Sequence, residues 1–380
     1  MKYNGLNVLK TQEAGIIMKK VSLFVCIAAM LLFVAPASFA AGQFKPEYKM
    51  STNVSEITPP GKAVAYFAEQ VKKRTDGKVN IKIYWNGQLF AGKASNEFML
   101  MKNGVGDFSI STFMNWAPQF PAGNIFLLPW FVSSEPNKYK ALDAIENGKT
   151  GTELKKRLSK MGIEVIGWGE QGARELTNNV RPVQSPNDLK GMKIRVVGSP
   201  LLLDVFKAMG ANPVNINWNE TVTSLQQNVV DGHENPYSYI ISYKVYEFQK
   251  YVTEWSYWID PLVYVSNQKV WNSFPADIQK IIAECAVEAG MYNKCLSRLN
   301  LDDGTSERWL KSKGLMPANN DNGAVNPRAY LKEHGTHVNV LTREQIKAFR
   351  AVTESVYGKW TKIIGEDLVM LAKEDMEKVR

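Results

Sequence analysis

Residues 189–210 read LKGMKIRVVGSPLLLDVFKAMG, and their order of residue types describes a strand that runs into a helix. Met192–Val196 is a short apolar and β-branched run, which reads as a strand ending just past Arg195. Ser199 and Pro200 then mark a helix start: a serine oxygen can accept from free backbone N–H groups, and proline suits the first turn. Leu202, Val205, Phe206 and Met209 recur at helical spacing on one face, and Gly210 closes the helix.

The same alternation extends in both directions. Val64, Phe67, Ala68 and Val71 form a helical face between Pro59-Pro60 and Gly77, and Val79, Ile81, Ile83 and Trp85 alternate with polar residues as a half-buried strand. A helix is predicted over 95–103, ending at Gly104, and strands over 107–111 and 163–166. Helices are predicted around 136–160, over 342–359 and through the charged tail to Arg380. A long helical stretch should run from Pro275 to about Lys313, broken only weakly at Gly290 and Gly304. Strand–helix alternation of this kind predicts α/β layers with largely parallel sheets. Neither an internal repeat nor a low-complexity linker is visible, so any division of the chain must be crossed by ordinary strands.

At 380 residues the chain fits two to three domains, and 45 % hydrophobic residues supply a sizeable core. Lys19 and Lys20 precede an apolar run from Val21 to Val34, and Ser38-Phe39-Ala40 places small residues at a cleavage site. Residues 1–40 therefore read as a signal peptide cleaved near Ala40, with a true start possible at Met18; the run is shorter than the roughly 20 residues that span a bilayer. Cys26 lies inside the apolar run, a poor place for lipid attachment. Without residues 1–40, the 46 basic and 37 acidic residues fall by four and one to 42 and 36, a net of +6. That mild excess suits anionic ligands, and no Lys/Arg block of the kind that binds nucleic acid occurs. Cys285 and Cys295 fall on one predicted helix, about 15 Å apart along its axis, too far to bridge.

Enzyme signatures are missing. The three histidines are His233, His334 and His337, and the H-x-x-H pair beside Glu333 is not an HExxH motif, so no metal or other cofactor is expected. Gly148-Lys149-Thr150 has Asp143 where a phosphate loop needs glycine and reads as a helix end. No G-x-S-x-G elbow and no dinucleotide-binding glycine pattern after a strand is present.

Arg195 stands out because ligands of open α/β sheets sit beyond the carboxyl ends of strands, near helix N-termini that favour anions. A guanidinium there can take a carboxylate with two parallel hydrogen bonds. Spacing alone favours the plainer reading, a surface cation in a basic strand. Further segments sharpen the choice: LKGMKIRV at 189–196 and LQQNVVDGHENP at 225–236 resemble the solute-binding proteins of tripartite ATP-independent periplasmic (TRAP) transporters, the DctP family. FAEQVKKRTDGKVNIKIYWNGQL at 67–89 and KVYEFQKYV at 244–252 extend the likeness more loosely.

The resemblance implies an α/β two-lobe periplasmic binding protein fold with hinge strands and a long lobe-spanning helix. Lobe 1 would take 41–172 and 261–300, and lobe 2 would take 173–260 and 301–380. It implies a non-enzymatic role: capturing a small organic carboxylate (C4-dicarboxylate, sugar acid, or hydroxy or keto acid) and delivering it to membrane permease subunits. Arg195 matches the arginine that pairs with the ligand carboxylate, Arg174 a second arginine that joins it, and Asn235 a ligand-contacting asparagine. Trp218 falls where an aromatic meets the ligand, with a core residue at a helix start as the lesser alternative; Glu97 and Trp116 are expected partners for the distal part of the ligand. Val197-Gly198 replaces the usual proline and polar residue after the arginine, and His233 stands where glutamine or alanine is commoner. A binding protein of another importer or of a sensor system, and a periplasmic enzyme, are the alternatives.

Overall fold

A computed structural model describes residues 44–318 and 324–380. The predicted signal peptide, with Met18 and Cys26, lies outside the described residues. The first parallel unit comprises β1 (Tyr48–Thr52), α1 (Pro59–Arg74), β2 (Ile81–Tyr84), α2 (Glu97–Lys102) and β3 (Phe108–Thr112). Strand β1 pairs in parallel with both β2 and β3. Val64, Phe67 and Val71 bury the predicted face of α1, and the Thr58 hydroxyl caps it by accepting from Gly61 N at 3.2 Å.

Helices α3 (Lys138–Asn147) and α4 (Lys149–Lys160) lead into β4 (Ile163–Asn178). The Gly-Lys-Thr run sits at their junction, where the Asp375 carboxylate accepts from Lys149 N and Thr150 N at 3.2 and 2.9 Å. The second parallel unit is β5 (Lys193–Val196), α5 (Pro200–Ala208), β6 (Asn212–Asn215), α6 (Trp218–Gln226) and β7 (Gly232–Pro236). Strand β5 lies between β6 and β7, parallel to both. Leu202, Val205, Phe206 and Met209 are buried as expected. The Ser199 hydroxyl, however, makes no cap to α5; it faces Asn124 Oδ1 at 3.4 Å instead.

Strands β8 (Tyr251–Glu254) and β9 (Ile259–Asn267) follow, and the sheet order is β2-β1-β3-β9-β4-β7-β5-β6. Strand β4 belongs to both ends of this array: its residues 163–173 pair antiparallel with β9, and 174–178 pair with β7. The change of partner falls at a bulge beside Gly172, whose φ of +121° demands glycine and which approaches the Pro236 ring closely.

The long helical stretch divides. Helix α7 (Ala276–Arg298) ends at Leu299, which is extended; Asn300 is left-handed, and a new helix α8 (Thr305–Lys313) begins after Gly304. Asp302 separates the two by accepting from Gly304 N and Ser306 N. Cys285 and Cys295 are both on α7, free and buried. Gly290 does not break the helix. It is the point where α7 presses on β4, and a Cβ there would sit 2.0 Å from the Trp168 carbonyl oxygen. Backbone cannot retreat as a flexible side chain can, so Gly290→Ala is expected to destabilise by about 2–3 kcal/mol. A lower urea midpoint at unchanged slope would register this loss.

Lys294 and Arg298 at the end of α7 hold Asp143 of α3 at 2.7 and 2.8 Å, and Arg298 also holds Glu170 of β4 at 2.7 Å. This buried cluster joins helix, helix and strand. Beyond β10 (His337–Val340), α9 (Arg343–Ile364) and α10 (Glu366–Glu377) finish the chain. They contact the second unit and the helix that precedes β4: Lys359 meets Asp204 of α5, and Asp375 meets α4.

Candidate ligand-binding cleft

The carboxyl ends of the two parallel units face a common cavity of about 280 Å³. One wall carries Asn53 after β1, Asn86 after β2 and Asn115 after β3; the other carries Arg195 of β5, Asn215 of β6, Trp218 of α6 and Asn235 of β7. Asn219 Nδ2 crosses between the walls to donate to Asn86 O at 3.3 Å.

Arg195 is only 2 % exposed. Its Nε donates to Ile216 O at 2.9 Å, which orients the guanidinium 5.7 Å from the Trp218 ring. Its two terminal nitrogens have neither a hydrogen-bond partner nor a carboxylate among the described residues. Burial, with Arg174 nearby, pushes its pKa down to about 10 against the pull of Glu234, so it remains cationic at neutral pH. A buried cation without an anion is costly unless something arrives to pair with it.

Arg174 reaches the same cavity in the opposite condition. Its Nε donates to Glu234 Oε2; Nη2 donates to Glu234 Oε1 and to the Glu234 carbonyl, both at 2.8 Å. Nη1 donates to Asp260 Oδ2 at 3.1 Å and Gln171 Oε1 at 3.3 Å. All five N–H groups are therefore engaged. Burial pulls its pKa down, but Glu234 and Asp260 outweigh burial and hold it above the ordinary value. Asp260 is itself pushed up to about 7 by burial, against the attraction of Arg174.

Asn235 Nδ2 is buried at the cavity without a partner, and so is Asn115 Nδ2 on the facing wall. Trp218 is half-buried, not a core residue, and is held edge-on to Tyr243 and Tyr239 with ring centroids at 4.9 and 5.6 Å. His233 lies beneath it, stacked at 6.1 Å, with Nδ1 2.7 Å from the Thr177 hydroxyl. Burial and the two arginines push the His233 pKa well below its usual value, so the ring is neutral and supports the tryptophan.

Glu97 and Trp116 do not line this cavity. Glu97 is fully buried in the first turn of α2 and accepts from Ser109 at 2.8 Å, from Ser51 at 3.4 Å and from Ser111; burial pushes it up to about 7. Trp116 packs edge-on to Phe98 and Phe113. Both are interior residues beneath the wall that carries Asn115. Asn53, Asn86 and Asn115 were not anticipated; Asn86 and Asn115 follow strands that the sequence predicts, and that position was the available signal, whereas the strand before Asn53 was itself not predicted. His334 stacks on Tyr330 at 4.1 Å, and His337 lies in β10 against Tyr251, so the H-x-x-H pair is split. Among the described residues no three His, Cys, Asp or Glu side chains gather to hold a metal, and no helix is long and apolar enough to cross a membrane.

The chain is 39 % identical to a TRAP periplasmic solute binding protein from Ralstonia eutropha, solved with bound (S)-2-acetolactate; the match covers 88 % of this chain and all of that one, with a TM-score of 0.78. It is 30 % identical to the 2,3-diketo-L-gulonate-binding periplasmic protein YiaO of Escherichia coli, over 77 % of this chain and 87 % of the relative. It is also 30 % identical to the C4-dicarboxylate-binding protein DctB of Bacillus subtilis, over 72 % of this chain and 81 % of the relative. The α/β architecture is thus the two-lobe fold of such binding proteins. The model of the bacterial extracellular solute-binding protein family 7, DctP, matches residues 50–302, and the chain belongs to that family of substrate-binding proteins, which are not enzymes.

Proposed function

We propose that the protein is the extracytoplasmic solute-binding component of a TRAP transporter, which captures a small organic carboxylate between two lobes and delivers it to membrane permease subunits. The observation that carries the reading is Arg195: a buried guanidinium at a cavity, oriented through Nε, with both terminal nitrogens uncommitted. A carboxylate docked there gains two parallel charge-assisted hydrogen bonds. The unpartnered Asn235 amide stands ready to donate to the same ligand, and Trp218 covers one face. Arg174 then acts through its carboxylate partners, shaping the cavity floor. The relatives named for diketogulonate and C4-dicarboxylates, and the neighbour holding acetolactate, support an acidic ligand.

The proposed lobes are 41–172 with 261–300, and 173–260 with 301–380. Strand β4 with its Gly172 bulge serves as one hinge strand, and helices α9 and α10 brace both sides. Residues 1–40 direct export and are removed near Ala40, leaving the mature protein in the periplasm.

The test is a thermal-shift screen of the mature protein against organic acids, neutral polyols and amines, since a ligand that binds only the folded state raises its melting temperature. Acids alone should do so. Trp218→Ala is expected to weaken the best acid by about tenfold, the loss of one aromatic face worth roughly 1–2 kcal/mol. Unchanged affinity by calorimetry would remove Trp218 from the site.

A further inference from the structure

We propose that the ligand is a small monocarboxylate whose other polar groups are uncharged hydroxyl or carbonyl oxygens, and that the cavity discriminates against dicarboxylates. This rests on the carboxylate reading above and narrows it.

The reasoning is a balance of charge. Of the two buried cavity arginines, Arg174 has every N–H committed to Glu234, Asp260 and Gln171. Arg195 alone has free donors, so the walls offer one desolvated positive charge. The remaining cation of the lining, Lys93, is exposed on a loop, and Glu220 lies on the same lining, also exposed. An exposed ammonium contributes little to a pair, because water and salt screen it. A second carboxylate on the ligand would thus be taken out of water with no buried cation to meet it, and an unpaired buried charge is strongly unfavourable.

What the cavity supplies in place of a second cation is amides. Asn53, Asn86, Asn115, Asn215 and Asn235 reach it from the ends of five different strands. Each carboxamide carries two donors and an acceptor, which suits a hydroxyl that both gives and takes a hydrogen bond, or a carbonyl that takes one. An anion uses only the donors and leaves the amide oxygens facing negative charge. The unpartnered Asn115 Nδ2 lies on the wall opposite Arg195, where the far end of a bound acid would be.

The experiment is calorimetric titration of the wild-type mature protein with acids matched in length and differing in one carboxylate: butanoate with succinate, 2-hydroxybutanoate with malate, and gluconate with glucarate. The expected result is that in every pair with detectable binding the monoanion binds at least tenfold tighter, and that the hydroxylated members surpass butanoate. Malate, succinate or glucarate binding as tightly as its partner overturns the proposal and leaves the carboxylate reading standing. Binding of neutral polyols with no response to any of the six acids overturns both.

Discussion

Arg195→Ala is expected to remove measurable ligand binding while leaving the empty protein at least as stable as the wild type. Two charge-assisted hydrogen bonds of about 1.5–3 kcal/mol each are lost. Affinity should therefore fall at least about a hundredfold. The unusual half of the expectation is the stability. In the empty protein Arg195 is a desolvated cation with a single backbone acceptor, so its removal relieves an electrostatic cost and leaves only a modest void. Arg195→Lys keeps the charge but not the planar fork, and should fall between the two. Calorimetry and thermal melts of the three proteins without ligand check both halves. Wild-type affinity in Arg195→Ala would place the ligand elsewhere; a melting temperature many degrees lower would mean that the guanidinium supports the fold.

Arg174→Ala should behave in the reverse way. It strands Glu234 and Asp260, both fully buried, with only Tyr257 and Thr112 hydroxyls as partners. Breaking one side of a buried ion pair typically costs about 3–5 kcal/mol, and that loss is expected here in the absence of any ligand. The deficit should depend on pH with a definite sign. Asp260 is already held at about 7 by burial with Arg174 opposing, and removing Arg174 raises it further. A carboxyl whose folded pKa exceeds its unfolded one favours the native state at low pH and ceases to do so as pH rises through the folded pKa. The gap between variant and wild type should accordingly be wider at pH 8 than at pH 5, measured by urea unfolding. A gap independent of pH would assign the loss to packing against Trp258 instead.

Two arginines 21 residues apart thus share a cavity wall and differ in everything that decides their role. The sequence resembled a pair of ligand-binding arginines, and nothing local to Arg174 reveals that its donors are taken: Glu234 is 60 residues away and Asp260 is 86. What was legible was the part encoded by neighbours along the chain. The β5–Pro200–α5 segment combined residue periodicity with a helix start, so the position of Arg195 at a strand end followed. Asn235 and Trp218 were reached through their motifs and do line the cavity.

Glu97 was misread for an opposite reason. The family resemblance put it at the distal part of the ligand, but α2 turns it inward to three serines on β1 and β3. Whether a short helix shows a residue to solvent or to the sheet depends on the crossing angle of helix and strand, which six residues of sequence do not carry. The break at 299–304 was legible and underread: Asn300, Asp302, Asp303 and Gly304 are poor helix formers, and Asn300 takes the left-handed conformation that ends α7.

Strand β4 has a practical corollary for anyone wishing to dissect the molecule. Because one uninterrupted run of backbone pairs with β9 before Gly172 and with β7 after it, the halves are not beads on a string, and a cleavage between 163 and 178 strips a pairing partner from one side or the other. Fragments made there should be sticky and insoluble, their exposed amides free to recruit other chains. Reporter insertions belong instead in surface turns.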